Sequence, residues 1–169
     1  MDTMEALMTR RSIRKYEQKT VSEDLIEKIL RAAMAAPSAN NEQPWHFIVV
    51  EDRNVLDLIP RVHPYAQMVK EATLAILVCG DTTLEKHPGY WVVDCCAATE
   101  NLLLACHALG LGAVWLGVYP RAERMQSMND LFGLPAHIKP CALISIGYPA
   151  EKKDRPDRYK TERVHRNHW

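Results

Sequence analysis

Residues 91–109 are apolar around nearly the whole circumference of a helix. Val92, Val93, Cys95, Cys96, Ala97, Ala98, Leu102, Leu103, Leu104, Ala105, Cys106, Ala108 and Leu109 leave no continuous polar stripe. A helix that is apolar on every side has to be covered on every side. The chain has 169 residues, enough for one domain with a substantial core, but it offers few elements to wrap such a helix. Two arrangements meet the constraint: the core helix of a monomer, or a helix whose outer face meets a second subunit. Cys95, Cys96, Ala97 and Ala98 are small enough for the close approach that the second arrangement needs. Gly110 then ends the helix, since glycine adopts the left-handed conformation of a C-terminal cap readily.

The remaining segments alternate between helical and extended patterns. Asp2 or Thr3 can cap a first helix with Met4, Leu7 and Met8 on one face. Ser22 reads as the next N-cap, with Glu23 and Asp24 in the first turn, where the helix dipole favours acids. Leu25, Ile26, Ile29, Leu30 and Ala33 then repeat at helical spacing up to about Ala36. A strand follows near 46–51, then a short helix around Arg53–Ile59, with Pro60 and Pro64 expected to break the chain. Tyr65–Glu71 predicts another turn or two of helix. Thr73–Cys79 and Cys141–Gly147 are near-continuous apolar runs, as in central strands covered on both faces. Arg121–Phe132 is an amphipathic helix stopped by Gly133 and Pro135. From Glu151 the chain becomes charged and proline-bearing, the pattern of a solvated tail, yet it ends in Trp169, which points to an end that docks on something. No repeat or linker divides the chain, so residues 1–169 are expected to form a single domain.

Charge and cysteine content narrow the function classes. The formal net charge is zero and the pI is near 7.0, so no global basic field draws the chain to nucleic acid or an anionic membrane. No apolar run reaches membrane-spanning length, and the acidic start Met1–Glu5 lacks the apolar stretch of a secretion signal. Cys79, Cys95, Cys96, Cys106 and Cys141 make an odd number, contain no C-x-x-C pair and sit in apolar surroundings. Reduced, buried thiols and a cytoplasmic location are the expectation.

Three stretches carry the candidate chemistry. Arg10, Arg11 and Arg14 crowd around Ser12 at the end of the first helix. Cations complement a helix C-terminus, but three guanidiniums exceed that need, and their planar forks suit an anionic ligand such as phosphate. In Pro37-Ser38-Ala39-Asn40-Asn41-Glu42-Gln43-Pro44-Trp45, two prolines keep the chain irregular between helix and strand. Its Ser and Asn side chains can face a polar ligand or can simply satisfy their own turn. Gly110-Leu111-Gly112-Ala113-Val114-Trp115-Leu116-Gly117 invites a dinucleotide-fingerprint reading, which the order excludes. That fingerprint runs strand, glycines, helix with a third glycine at the sixth position, where Trp115 stands. Here the glycines serve a turn and a strand that approaches something closely at Gly117. Nucleophile elbow, phosphate loop and zinc motifs are all missing, and His165 and His168 lack a third ligand. Cys95 and Cys96 have no neighbouring base or cation to activate them. Arginines, an amide-rich loop and a glycine-bordered strand are what a chain needs when a bound cofactor does the chemistry.

Together the Arg10–Arg14, Pro37–Trp45 and Gly110–Gly117 stretches, with Ile146-Gly147-Tyr148-Pro149, resemble the FMN-dependent nitroreductase family over nearly the whole chain. The ending Asp157-Arg158-Tyr159, Arg163-Val164-His165 and Trp169 is similar to that of its short, single-domain members. The resemblance implies an α+β fold, a mixed sheet flanked by helices, and an intertwined homodimer with FMN at the interface. It implies ping-pong turnover, NADH or NADPH reducing FMN and a nitroaromatic, quinone or similar small molecule accepting the electrons. By position, Arg10 and Ser12 fall to the phosphate and ribityl end and Arg14 to the flavin N1–O2 edge, with Arg11 also counted among the cofactor-binding residues. Pro37, Ser38 and Ala39 fall against the isoalloxazine, with Asn41 beside it from the partner subunit. Backbone amides around Leu116 and Gly117 fall opposite N5, and Arg158, with Arg155, over the phosphate. Thr82–Tyr90, where larger members carry an extra helical segment, is short here, so the acceptor stays unread. Within the same resemblance, a non-catalytic flavin-binding or sensory protein is the alternative, since hydride transfer requires access to the flavin rather than a dedicated side chain.

Overall fold

The computed structural model describes all 169 residues. Asp2 caps α1 (Thr3–Thr9), its carboxylate accepting from the Glu5 N–H at 2.9 Å. After α2 (Glu23–Met34) come β1 (Trp45–Val50), α3 (Arg53–Val62), β2 (Leu74–Asp81) and α4 (Trp91–Ala108). The chain closes with β3 (Gly112–Gly117), α5 (Ala122–Phe132) and β4 (Ile138–Gly147), followed by the tail. Gly133 caps α5 with φ +62°, the left-handed conformation glycine adopts without penalty.

The strands form one sheet in the order β1-β2-β4-β3, and all three ladders are antiparallel. The expected α+β class is what the chain adopts. The mixed pairing shrinks to a single parallel bridge, Ser12 to Ala113, on the outer edge of β3. As their apolar runs require, β2 and β4 are the central strands, and alternate residues feed two cores. Leu74, Ile76 and Val78 of β2 with Ile144 and Ile146 of β4 pack toward α2 and α4. Ala75, Leu77 and Cys79 with Leu143 pack toward α3 and α5 on the other face.

One proline expectation fails. Pro60 lies buried inside α3, which continues to Val62, rather than ending the helix. Pro140 lies inside β4, which begins three residues earlier than its apolar run. There the register of β2 against β4 shifts between Val78 and Cys79, and such an irregularity is where a strand tolerates a missing N–H.

The all-apolar helix is covered on one side only. Cys95, Ala98, Thr99, Leu102, Leu103 and Cys106 are buried against the sheet and α2, while Val93 is 59% exposed. Of the four small residues, Cys95 and Ala98 face inward, leaving Cys96 and Ala97 half-buried on the flank. Met4, Leu7 and Met8 of α1 and Met34 of α2 are exposed as well. The tail beyond Glu151 is exposed throughout, and Trp169 touches little but His165, on which it stacks at 4.2 Å.

Candidate cofactor site

The Arg10–Arg14 stretch runs along the outer edge of β3. Ile13 donates its N–H to the Ala113 carbonyl at 3.0 Å. This proximity explains two glycines. A Cβ on Gly112 would stand 2.6 Å from Ile13 Cγ2, and one on Gly147 would stand 2.9 Å from the Tyr16 ring. Tyr16 is itself fixed, its buried hydroxyl donating to the Ile13 and Ser145 carbonyls. Gly117 differs, because the nearest atom to a Cβ there is Arg124 Nη1 at 4.0 Å. No packing within the chain requires glycine at that position.

Strand alternation explains what Gly117 faces. In an antiparallel ladder, backbone groups point toward and away from the partner strand in turn. The Ala113 carbonyl points outward to Ile13, so Trp115 and Gly117 also turn their backbone away from β4. Two groups hold the Gly117 carbonyl, His63 donating from Nε2 at 3.1 Å and Arg124 from Nη1 at 2.9 Å. Beside this edge lies a cleft of about 510 Å³, lined by Trp115, Leu116 and Gly117 together with Arg14, His63 and Tyr65. Arg14 is exposed and enters none of the ion pairs; its main-chain N–H donates to Glu151 Oε1 at 2.7 Å. His63 is fully buried, and burial followed by the Arg124 charge pushes its pKa below 6.5. The ring is therefore neutral, its proton on Nε2 toward the Gly117 carbonyl and its Nδ1 without a partner.

The other arginines gather at the far end of β3. Arg10 Nε lies 3.4 Å from Glu100 of α4. Arg11 donates to three carbonyls, Met8 at 3.0 Å, Arg10 at 2.5 Å and Asp154 at 2.8 Å, and so latches the tail to the end of α1. Desolvation and the like charges of Arg158, Arg10 and Arg155 lower the Arg11 pKa from its ordinary value, though the guanidinium stays charged. Arg155 and Arg158 of the tail are both near enough for their charges to bear on Arg11. A corner of four like charges is a place where an anion is stabilised.

The amide-rich loop lies elsewhere. It leads into β1, at the opposite edge of the sheet from β3, and Pro37, Ser38, Ala39 and Asn41 do not line the Arg14 cleft. Ala39 donates its N–H to the buried Asp94 of α4 at 3.0 Å. Ser38 Oγ accepts from the Gln43 N–H, and Asn41 Oδ1 accepts from the Gln43 side chain. Both polar residues therefore satisfy their own turn in this chain. Asn40, Asn41 and Gln43 adopt φ of +48°, +57° and +50°, a rare conformation for residues other than glycine.

Within one chain, then, Arg14, Leu116 and Gly117 come together, Arg10, Arg11, Ser12, Arg155 and Arg158 gather along the same edge, and the 37–41 loop stands apart. Sequence reading missed His63, Tyr65, Arg124 and Asp94. Their roles come from tertiary contacts; the one available signal was Arg124 beside the apolar stripe Met125–Phe132.

Comparison with known proteins bears on this geometry. The family model described as "Nitroreductase family" matches residues 7–80 and 57–148. A protein of Methanothermobacter thermautotrophicus named "Putative NADH dehydrogenase/NAD(P)H nitroreductase" is 54% identical over 169 residues, covering 100% of this chain and 88% of its own length. A crystal structure under the same protein name, from Parabacteroides distasonis, superposes with a TM-score of 0.95 at 43% identity, covering 99% of this chain and 98% of that one. A nitroreductase from Desulfovibrio desulfuricans, described as "putative" and solved in complex with FMN, gives a TM-score of 0.86 at 32% identity over 100% of this chain and 99% of that one. With its fold, its arginine-edged strand and these matches in agreement, the chain belongs to the nitroreductase family.

Proposed function

We propose that this chain is an FMN-dependent oxidoreductase that passes electrons by ping-pong turnover from NADH or NADPH to a nitroaromatic, quinone or similar small acceptor. The observation that carries the reading is the cleft beside β3, where the unpaired Arg14 guanidinium and the outward backbone of Trp115–Gly117 line the same space. These residues fit a flavin. A β3 edge with no Cβ at Gly117 admits a flat ring, Arg14 supplies a cation for its polar edge, and the corner of Arg10, Arg11, Arg155 and Arg158 suits a phosphate.

FMN, when bound, supplies the two-electron chemistry between donor and acceptor. The chain's part is to bind and orient. Arg14 favours negative charge on the face of the site it lines. His63 and Arg124 fix the Gly117 peptide, so the adjoining amides are held ready rather than ordered on binding. Ser12, bridged to Ala113 through its backbone, lies in the chain between Arg11 and Arg14.

The same reading makes the chain a homodimer and residues 1–169 one flavin-binding domain. Exposed Met4, Leu7, Met8, Met34 and Val93 form apolar surface of a kind that a second copy would cover. A second copy would also bring the Pro37–Asn41 loop to the cleft that this chain's own loop does not line. Five free cysteines, four of them buried, fit a cytoplasmic location; no helix is long and apolar enough to cross a membrane.

The deciding experiment is the visible spectrum of purified protein before and after anaerobic NADH and NADPH. Flavin bands that bleach and return with an acceptor are expected. Bands that persist with both donors would reduce the assignment to flavin binding, and a chain that takes up no FMN would sink it.

A further inference from the structure

Resting on the flavin reading above, we infer that Arg121 and Arg124 form a docking site for an anionic group, carboxylate or phosphate, on the small molecule that reacts beside Gly117. The Arg14 cleft adjoins a second one of about 470 Å³, and the two share Tyr65 and Arg124. Arg121 and Ser127 line the second cleft. Three arginines thus border these two adjoining clefts, and none of them enters an ion pair. Glu123 is the one acid lining either cleft, and it pairs with neither Arg121 nor Arg124.

Arg124 is also held in place before anything binds. Its Nη1 donates to the Gly117 carbonyl at 2.9 Å, and its guanidinium carbon stands 5.0 Å from the Tyr65 ring centroid. Tyr65 is braced in turn by His63, the two rings meeting edge-on at 6.5 Å. A guanidinium has five donors in a rigid fork, and the Gly117 contact uses one, leaving the rest for a ligand. Because the fork is already ordered, little freedom is lost when an anion pairs with it. Partial burial strengthens such a pair relative to one in open water. Arg121, at the N-cap of α5, stands on the solvent side of the same cleft and adds a second cation.

The cation pair sits on the chain that also carries Gly117, so a molecule stacked beside that peptide can reach Arg124 with a substituent. Under ping-pong turnover, donor and acceptor use these clefts in turn, and either can bring the anion: the phosphates of NADH or NADPH, or an acid group on the acceptor. The chemistry recognised is the same in both cases.

The test uses the purified, FMN-supplemented protein and two unreactive probes of one shape, benzoate and benzamide, titrated calorimetrically. Benzoate is expected to bind about tenfold more tightly, as one charge-assisted hydrogen bond warrants. That preference should shrink in Arg121→Gln and vanish in Arg124→Gln, with benzamide affinity and melting temperature tracked as controls. Equal affinities in the wild-type protein, or a benzoate preference unaltered in both variants, would overturn the proposal. Two kinetic arms separate the sources. A KM rise for 4-nitrobenzoate but not 4-nitrobenzamide in Arg121→Gln assigns the site to the acceptor, and a rise for NADPH or NADH assigns it to the donor. Calorimetry reads the probes whether or not FMN is retained, so loss of the flavin reading is visible separately in the absorption spectrum.

Discussion

A methyl group added at Gly112 would collide with Ile13, whereas at Gly117 it would meet only the tip of Arg124, 4.0 Å away. Gly112→Ala should therefore lower stability by about 1–3 kcal/mol through overpacking, read as a drop in denaturation midpoint. Gly117→Ala should leave the midpoint nearly unchanged and weaken FMN binding, read by fluorescence titration. Equal FMN affinity in Gly117→Ala would remove the cofactor from that edge. Arg14→Ala is expected to weaken FMN binding about tenfold, the value of one hydrogen bond to a charged partner, with the fold intact. His63 makes a pH prediction. Its folded pKa lies below 6.5, so across the interval between the two values the unfolded chain binds a proton that the folded chain does not. The stability it contributes is full above about pH 6.5 and is lost as pH falls through that interval. Unfolding free energies measured from pH 7.5 to 5 should show that decline, and His63→Gln should flatten it. A wild-type curve with no decline over that interval would contradict a neutral buried ring.

At the scale of elements, period and capping were enough to place most helices and strands, because each buries a face that its own sequence marks. Central β2 and β4 were legible from their unbroken apolar runs, since only a strand covered twice can afford them. Pro60 was misread for a physical reason. Local rules count the missing N–H, whereas the buried setting of Pro60 inside α3 supplies compensation only tertiary structure provides. The site divides likewise. Arg14, Leu116 and Gly117 were readable as a motif, but the clamp of His63 and Arg124 joins residues 54 and 7 positions from Gly117 and leaves no local pattern. The surface of α4 gives this scale its prediction. Val93 faces outward and Ala98 is fully buried, so Val93→Glu should dissociate a dimer while leaving a folded chain, whereas Ala98→Glu should unfold it. Light scattering and circular dichroism on both variants check this; an intact dimer with Val93→Glu would move the interface elsewhere.

For the molecule as a whole, the two ends of the sheet's edge strands carry different parts of one proposed site. Residues 93 and 94 are neighbours on α4, the first on exposed apolar surface and the second holding the Ala39 amide. Asp94 therefore fastens the Pro37–Asn41 loop to the same helix that presents Val93 to solvent on a different face. If a second copy covers the Val93 face, cofactor retention becomes a property of protein concentration. Diluting the holoprotein below its subunit dissociation constant should release FMN together with the subunits, and adding excess FMN should push the monomers back together. The two equilibria then share one free energy, and a cell could discharge the cofactor simply by letting the protein grow scarce.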